Sequence, residues 1–195
     1  QGVDVRGQAL DIVDRMGLLP RVRAAATDVE QMQFVNSSGR PIAAVALGDD
    51  LEIMRGDLAT ILRDACRDRV DHVFGDSPAR ITPGEHGVTV GFHSGRADRF
   101  DLVIGADGVH SGVRRLVFGP ESQFLDYRGH YFAFGKADTA LGPNRSILMF
   151  NTPGKMVGIY RSGNHPQANA YFIFRSDEAI DYDHHDLGQQ RRILK

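Results

Sequence analysis

Apolar residues recur at helical spacing in two parts of this 195-residue chain. In the first, Leu10, Val13 and Met16 form a stripe. Gly17 stands where a left-handed residue closes a helix, Leu18 supplies the contact that follows such a cap, and Pro20 bars continuation. The pattern predicts a first helix within residues 2–17, with no strand before it. In the second, Leu58, Ile61, Leu62, Ala65 and Cys66 fall at i, i+3, i+4, i+7 and i+8 and predict a helix over residues 52–69. On that stripe Cys66 reads as a small buried hydrophobe rather than a nucleophile. Between the two, Met32 and Phe34, then residues 42–47, predict a β-hairpin around Asn36-Ser37-Ser38-Gly39.

The second half turns to shorter β segments. Residues 70–74 read as one that pairs with the helix before it. Val88, Val90 and Phe92 alternate faces, and Ser94-Gly95 is a turn. Leu102, Val103 and Ile104 form a continuous apolar run, as in a strand covered on both faces. Gly105, Asp107 and Gly108 follow, and Ser111 is placed as the N-cap of a short helix. Val113, Leu116 and Val117 would be its buried stripe, and Gly119-Pro120 its end. Four β-rich segments, around Tyr131–Phe134, Ile147–Phe150, Val157–Tyr160 and Tyr171–Phe174, predict an antiparallel sheet with one covered face. Its aromatic stripe reads as core.

Strand, glycine turn and helix in succession change the picture from fold to chemistry. In an open α/β sheet, ligands bind beyond the carboxyl ends of the strands. Asp107 and Gly108 fall at that edge. The glycine would let a ligand approach the backbone, and the aspartate could accept from ribose hydroxyls. The same residues equally describe an ordinary strand-to-helix turn with a capping aspartate. Arg55, at the start of the second helix, is a permanent cation with a donor fork where an anion is already favoured; a salt bridge to Asp57 is the alternative. Arg6, at the start of the first helix, can be read as a solvated side chain. His72, His86 and His93 lack metal-ligand spacing. Asp181-Tyr182-Asp183-His184-His185-Asp186 reads as a solvated loop, because adjacent histidines on a strand or helix point apart.

Composition narrows the classes. A formal net charge of -2 gives no reason to expect nucleic acid or an anionic membrane as partner. No apolar run approaches the roughly 18–20 residues that span a bilayer. A single cysteine excludes an internal disulfide framework and fits a cytoplasmic protein. The chain starts at Gln1 and stops within an expected helix, which reads as an internal piece of a longer protein.

Gly105-Ala106-Asp107-Gly108, with Ser111 and Arg114, resembles the DG motif of class A flavoprotein monooxygenases, the p-hydroxybenzoate hydroxylase family. Ile53-Met54-Arg55-Gly56-Asp57-Leu58 resembles that family's R-x-x-L segment. Val3-Asp4-Val5-Arg6-Gly7 with Met16-Gly17-Leu18 resembles the segment after the second strand of its dinucleotide fold. The resemblance implies an α/β fold: part of a Rossmann-like FAD-binding domain at residues 1–125, its hairpin 31–47 reaching the substrate domain, and an antiparallel β-sheet substrate domain at residues 126–195. It implies FAD as cofactor, contacted by Arg55, Asp107, Gly108 and Arg6, and NAD(P)H as co-substrate. The implied reaction inserts one oxygen atom of O2 into an aromatic or polyketide-like small molecule; no catalytic residue is assigned. The family's G-x-G-x-x-G unit and its later Gly-Asp motif are not in this sequence. A flavin-dependent reductase of the same fold, or a truncated piece that holds no FAD, remain the other readings.

Overall fold

The computed structural model describes residues 2–48 and 50–194. They form two compact units, Gln1–Asp68 with Gly129–Lys195, and Arg69–Arg128.

The first unit opens with a strand that the sequence pattern does not predict. β1 (Gly2–Val5) pairs antiparallel with β4 (Leu51–Met54), Val3 opposite Ile53 and Val5 opposite Leu51. Period-two alternation is present in Val3-Asp4-Val5, but four residues are too few to separate from the helix that follows. For the same reason the second helix loses its first residues: 51–54 are strand, and α3 runs Arg55–Cys66. α1 (Gln8–Arg15) ends as expected. Gly17 has φ 70, its N–H donates to the Asp14 carbonyl, and the Leu18 N–H donates to the Val13 carbonyl. Pro20 starts a helix rather than only stopping one. It occupies the first turn of α2 (Leu19–Ala24), where a missing N–H costs nothing. Val5, Val13, Leu18, Val22, Ile53 and Ile61 bury one another into the core of this layer. Cys66 is half-buried and is not among the residues packed on this core.

The hairpin is present as β2 (Gln31–Val35) and β3 (Pro41–Ala46), and Asn36 accepts from the Ser38 and Arg40 amides in the turn. The four aromatic-rich strands are β8 (His130–Ala137), β9 (Ser146–Thr152), β10 (Lys155–Arg161) and β11 (Ala168–Arg175). All six strands make one sheet in the order β3-β2-β9-β10-β11-β8, antiparallel except where β2 runs parallel to β9. The aromatic stripe is not simply core. Phe132 and Phe134 are exposed, on the face that also carries Tyr171. α5 (Leu187–Ile193) follows the acidic loop, capped by Asp186. The rings of His184 and His185 are 4.0 Å apart, closer than alternating directions would place them, yet no metal-binding group of three occurs among the described residues.

The second unit holds a three-stranded meander, β5 (Pro78–Gly84), β6 (Gly87–Phe92) and β7 (Ala97–Phe100), and the helix α4 (Gly112–Phe118). Residues 70–74 form no strand. Neither do Leu102, Val103 and Ile104: Leu102 is 71% and Ile104 78% exposed. An apolar run becomes a strand only when a neighbour completes its ladder, and no described strand runs beside this one. Leu116 and Val117 are likewise exposed, so α4 buries no residue.

Candidate functional site

The residues singled out by the sequence divide between the two units. Arg6 and Arg55 belong to the first, Asp107 and Gly108 to the second.

Arg55 is the first residue of α3, just past the end of β4. The strand sets its Cα at the sheet edge, and Met54 before it offers no side-chain cap to the helix amides. Its guanidinium is exposed and makes no ion pair with any described residue. Asp57, the alternative partner, instead faces His165, 3.5 Å away. A cation with no ion-pair partner among the described residues, at an uncapped helix start, is suited to an anionic ligand. Arg6 differs. It bonds Asp4 and stands 3.8 Å from Asp50. It is thus neither solvated alone nor free.

Asp107 and Gly108 lie in the loop before α4, and both are exposed. Ser111 caps the helix as expected, accepting from the Arg114 N–H at 2.9 Å. Asp107 also turns toward its own helix: Ser111 donates its hydroxyl to one carboxylate oxygen and the Val113 N–H donates to the other at 3.0 Å. The Ser111 hydroxyl first, then the Val113 amide, hold this carboxyl below the usual aspartate range. Each oxygen keeps a further lone pair for a ligand. Gly108 has φ 86 and open space where a side chain would stand, so the backbone there can be approached closely. Beside them runs an apolar cleft of about 830 Å³, bounded by Leu102, Ile104, Val113, Val117 and Phe118. At its polar end Arg114 donates to the Val109 carbonyl at 2.6 Å, and its Nε is buried without a hydrogen-bond partner among the described residues.

A third group carries no local signal in the sequence. Glu52, on β4, accepts from the Tyr160 hydroxyl at 2.7 Å and from the Thr27 hydroxyl at 2.9 Å. It borders a cavity of about 310 Å³ against the six-stranded sheet, with Phe132, Phe134, Tyr160, Asn169 and Tyr171. These partners lie 25 and 108 residues from Glu52, beyond the reach of any local pattern.

No protein-family model matches the chain. An uncharacterised protein of Mycobacterium tuberculosis (strain ATCC 25618 / H37Rv) is 36% identical over 192 residues, which cover 93% of this chain and 52% of that protein. A flavin-dependent monooxygenase of Legionella longbeachae serogroup 1 (strain NSW150) is 34% identical over 202 residues, covering 100% and 51%. The solved structure of the tetracycline destructase Tet(51) matches with a TM-score of 0.82 at 31% identity, covering 100% of this chain and 51% of its own. Klebsiella pneumoniae HpxO, complexed with FAD and uric acid, shares the fold at a TM-score of 0.63 and 22% identity. The chain therefore spans about half the length of the curated relatives it matches. Its DG loop, its Arg55 segment and its β-sheet fall within a likeness that runs from end to end, and the chain belongs to the class A FAD-dependent monooxygenase family.

Proposed function

We propose that this chain supplies cofactor- and substrate-binding surface to a flavin-dependent monooxygenase. The reaction is the insertion of one oxygen atom of O2 into an aromatic or polyketide-like small molecule, with NAD(P)H as reductant. The observation that carries the reading is Arg55: a guanidinium without an ion-pair partner among the described residues, at the uncapped start of a 12-residue helix, in a segment that resembles the family's R-x-x-L segment.

The residues present fit the chemistry of FAD. A diphosphate and a polyol chain call for a fixed cation, helix amides and backbone open to close approach. In the first unit Arg55 provides the cation; in the second, taken by itself, Gly108 provides the open backbone. Asp107 provides acceptor lone pairs, fixed in direction by Ser111 and Val113. Arg6, held by Asp4 and Asp50, serves as a weaker, already neutralised contact. In this reading residues 1–125 contribute to the FAD-binding domain and residues 126–195 to the substrate domain. Bound FAD supplies the redox and oxygen chemistry. The chain's own part is to bind, orient and exclude water, and no side chain here need act as acid or base. Among the described residues no helix is long and apolar enough to cross a membrane.

The test is an absorbance spectrum of the purified chain after incubation with FAD and desalting. Retained flavin absorbance is expected. Its absence would leave the family intact and refute binding by these residues alone. With flavin retained, product mass under labelled O2 separates oxygen insertion from a reductase of the same fold.

A further inference from the structure

The cavity beside Glu52 has a composition that the oxygenase reading does not require. Three aromatic rings meet at its wall. Phe132 and Phe134 stand two apart on β8, their centroids separated by 4.3 Å, and Tyr171 on β11 lies 5.9 Å from Phe132 and 6.4 Å from Phe134. Tyr160 adds a fourth aromatic residue and Asn169 an amide. Among the described residues that line it, Glu52 is the sole charged one.

Two glycines make room for side chains that line it. A Cβ on Gly2 would collide with Oε1 of Glu52, and one on Gly158 would collide with the ring of Tyr171 at Cζ. Gly158 pairs with Tyr171 across the β10–β11 ladder, so the tyrosine ring lies over a bare stretch of backbone. The carboxylate is fixed from behind. Tyr160 and Thr27 both donate to Oε2, while Oε1, which lies against the bare Cα of Gly2, accepts from no described residue. Burial, and then the nearby Glu52 charge, push the Tyr171 hydroxyl up to about 12. Burial first, and also the bond to Glu52 and its charge, push the Tyr160 hydroxyl up. Both hydroxyls therefore stay protonated across the working range, and Tyr160 remains a donor to the carboxylate.

Aromatic faces attract cations through their quadrupoles, and a carboxylate at the same wall supplies a full opposite charge. A neutral aromatic ligand would gain from the rings but nothing from an ionised Glu52 beyond one hydrogen bond. An anionic ligand would be repelled.

We propose that this cavity, formed by Glu52 with Phe132, Phe134 and Tyr171, is a binding site for an organic cation, an aromatic molecule carrying an amine. In calling that molecule the substrate, the inference rests on the oxygenase reading. The binding test needs no flavin, so failure of cation preference and failure of FAD binding are read separately.

Calorimetric titration of the whole chain with tyramine, and with 4-ethylphenol as its neutral counterpart, gives the first comparison. Tyramine is expected to bind at least tenfold more tightly. Glu52→Gln keeps an acceptor for Tyr160 but removes the charge, and it should bring the two affinities within about twofold. Equal affinities in the unaltered chain, or a preference that survives Glu52→Gln, would overturn the proposal. Phe134→Leu removes an exposed ring and decides the matter if Glu52→Gln does not fold. It should weaken tyramine more than 4-ethylphenol; an equal loss for both would count against a cation site.

Discussion

A guanidinium that ends without a carboxylate partner among the described residues carries information at the scale of one residue. Arg6 and Arg55 look alike in the sequence, each at the mouth of a helix. The structure separates them by their neighbours: Arg6 bonds Asp4, while Asp57 near Arg55 faces His165 instead. The difference leads to a paired prediction. Arg55→Ala loses no ion pair with a described residue, so stability should change by less than about 0.5 kcal/mol, the usual range for such surface changes. A charged hydrogen bond to a cofactor contributes roughly 1.5–3 kcal/mol, or about tenfold and more in affinity. FAD affinity, followed by flavin fluorescence, should therefore fall by at least that factor, and Arg55→Lys should restore only part, because a lysine lacks the planar fork. A large loss of thermal stability in Arg55→Ala, with flavin affinity unchanged, would assign Arg55 to the fold. Asp107 shows the opposite economy. Its two oxygens already serve the Ser111 hydroxyl and the Val113 amide, so the capping role and the proposed cofactor role coexist on one carboxylate.

Elements differ in how far the sequence exposes them, and the reasons are physical. Gly17 is legible because a helix end is a local event: the left-handed φ, the two closing hydrogen bonds and the buried Leu18 all lie within five residues of one another. Gly17→Ala forces a Cβ into that left-handed position, which costs roughly 1–2 kcal/mol. Hydrogen exchange at the Leu18 amide should then quicken by about fivefold or more, and unchanged exchange would mean that the helix ends in another way. The hairpin and the four aromatic strands are legible for a similar reason, since each turn declares itself. β1 and β4 are not. Each is four residues long and abuts a helix, and only their register, Val3 on Ile53 and Val5 on Leu51, shows why the alternation matters. The run 102–104 shows the converse. Its apolar character is plain in the sequence, but strand formation is a property of a pair of segments, and the described residues provide no second. The site divides in the same way. Arg55, Asp107, Gly108 and Arg6 sit in short motifs, whereas Glu52 acquires its meaning from Tyr160, 108 residues away.

At the scale of the whole molecule, the first unit is closed by contacts between residues far apart in the chain, and Asp28 is where several converge. It accepts from the Ser162 hydroxyl at 2.7 Å and from the Gly163 and Asn164 amides, and the Arg145 Nε stands 3.4 Å from its carboxylate. Asn164 adds a bond to the Ala26 carbonyl at 2.7 Å. Together these tie the segment after α2 to the loop between β10 and β11, residues 134 and 138 positions apart in the chain. Burial raises the Asp28 pKa, but the Ser162 hydroxyl, the two amides and Arg145 together outweigh it, and the carboxyl is held below the usual aspartate value. The sign of the pH effect follows. A carboxyl more acidic in the folded state than in the unfolded chain stabilises the fold fully above the unfolded value, near 3.9. That contribution is lost as pH falls through the lower folded value. Asp28→Asn removes the charge and one acceptor oxygen and should cost about 1–3 kcal/mol near neutral pH, the range for charged hydrogen bonds that are partly solvated. Urea midpoints of the two proteins should stand well apart at pH 7 and pH 5 and converge below pH 4. A gap that stays constant into acid would mean that the substitution disturbs packing rather than charge. A gap that widens in acid would reverse the sign of the linkage and remove Asp28 from its role as the ionised clasp between the two ends of this unit.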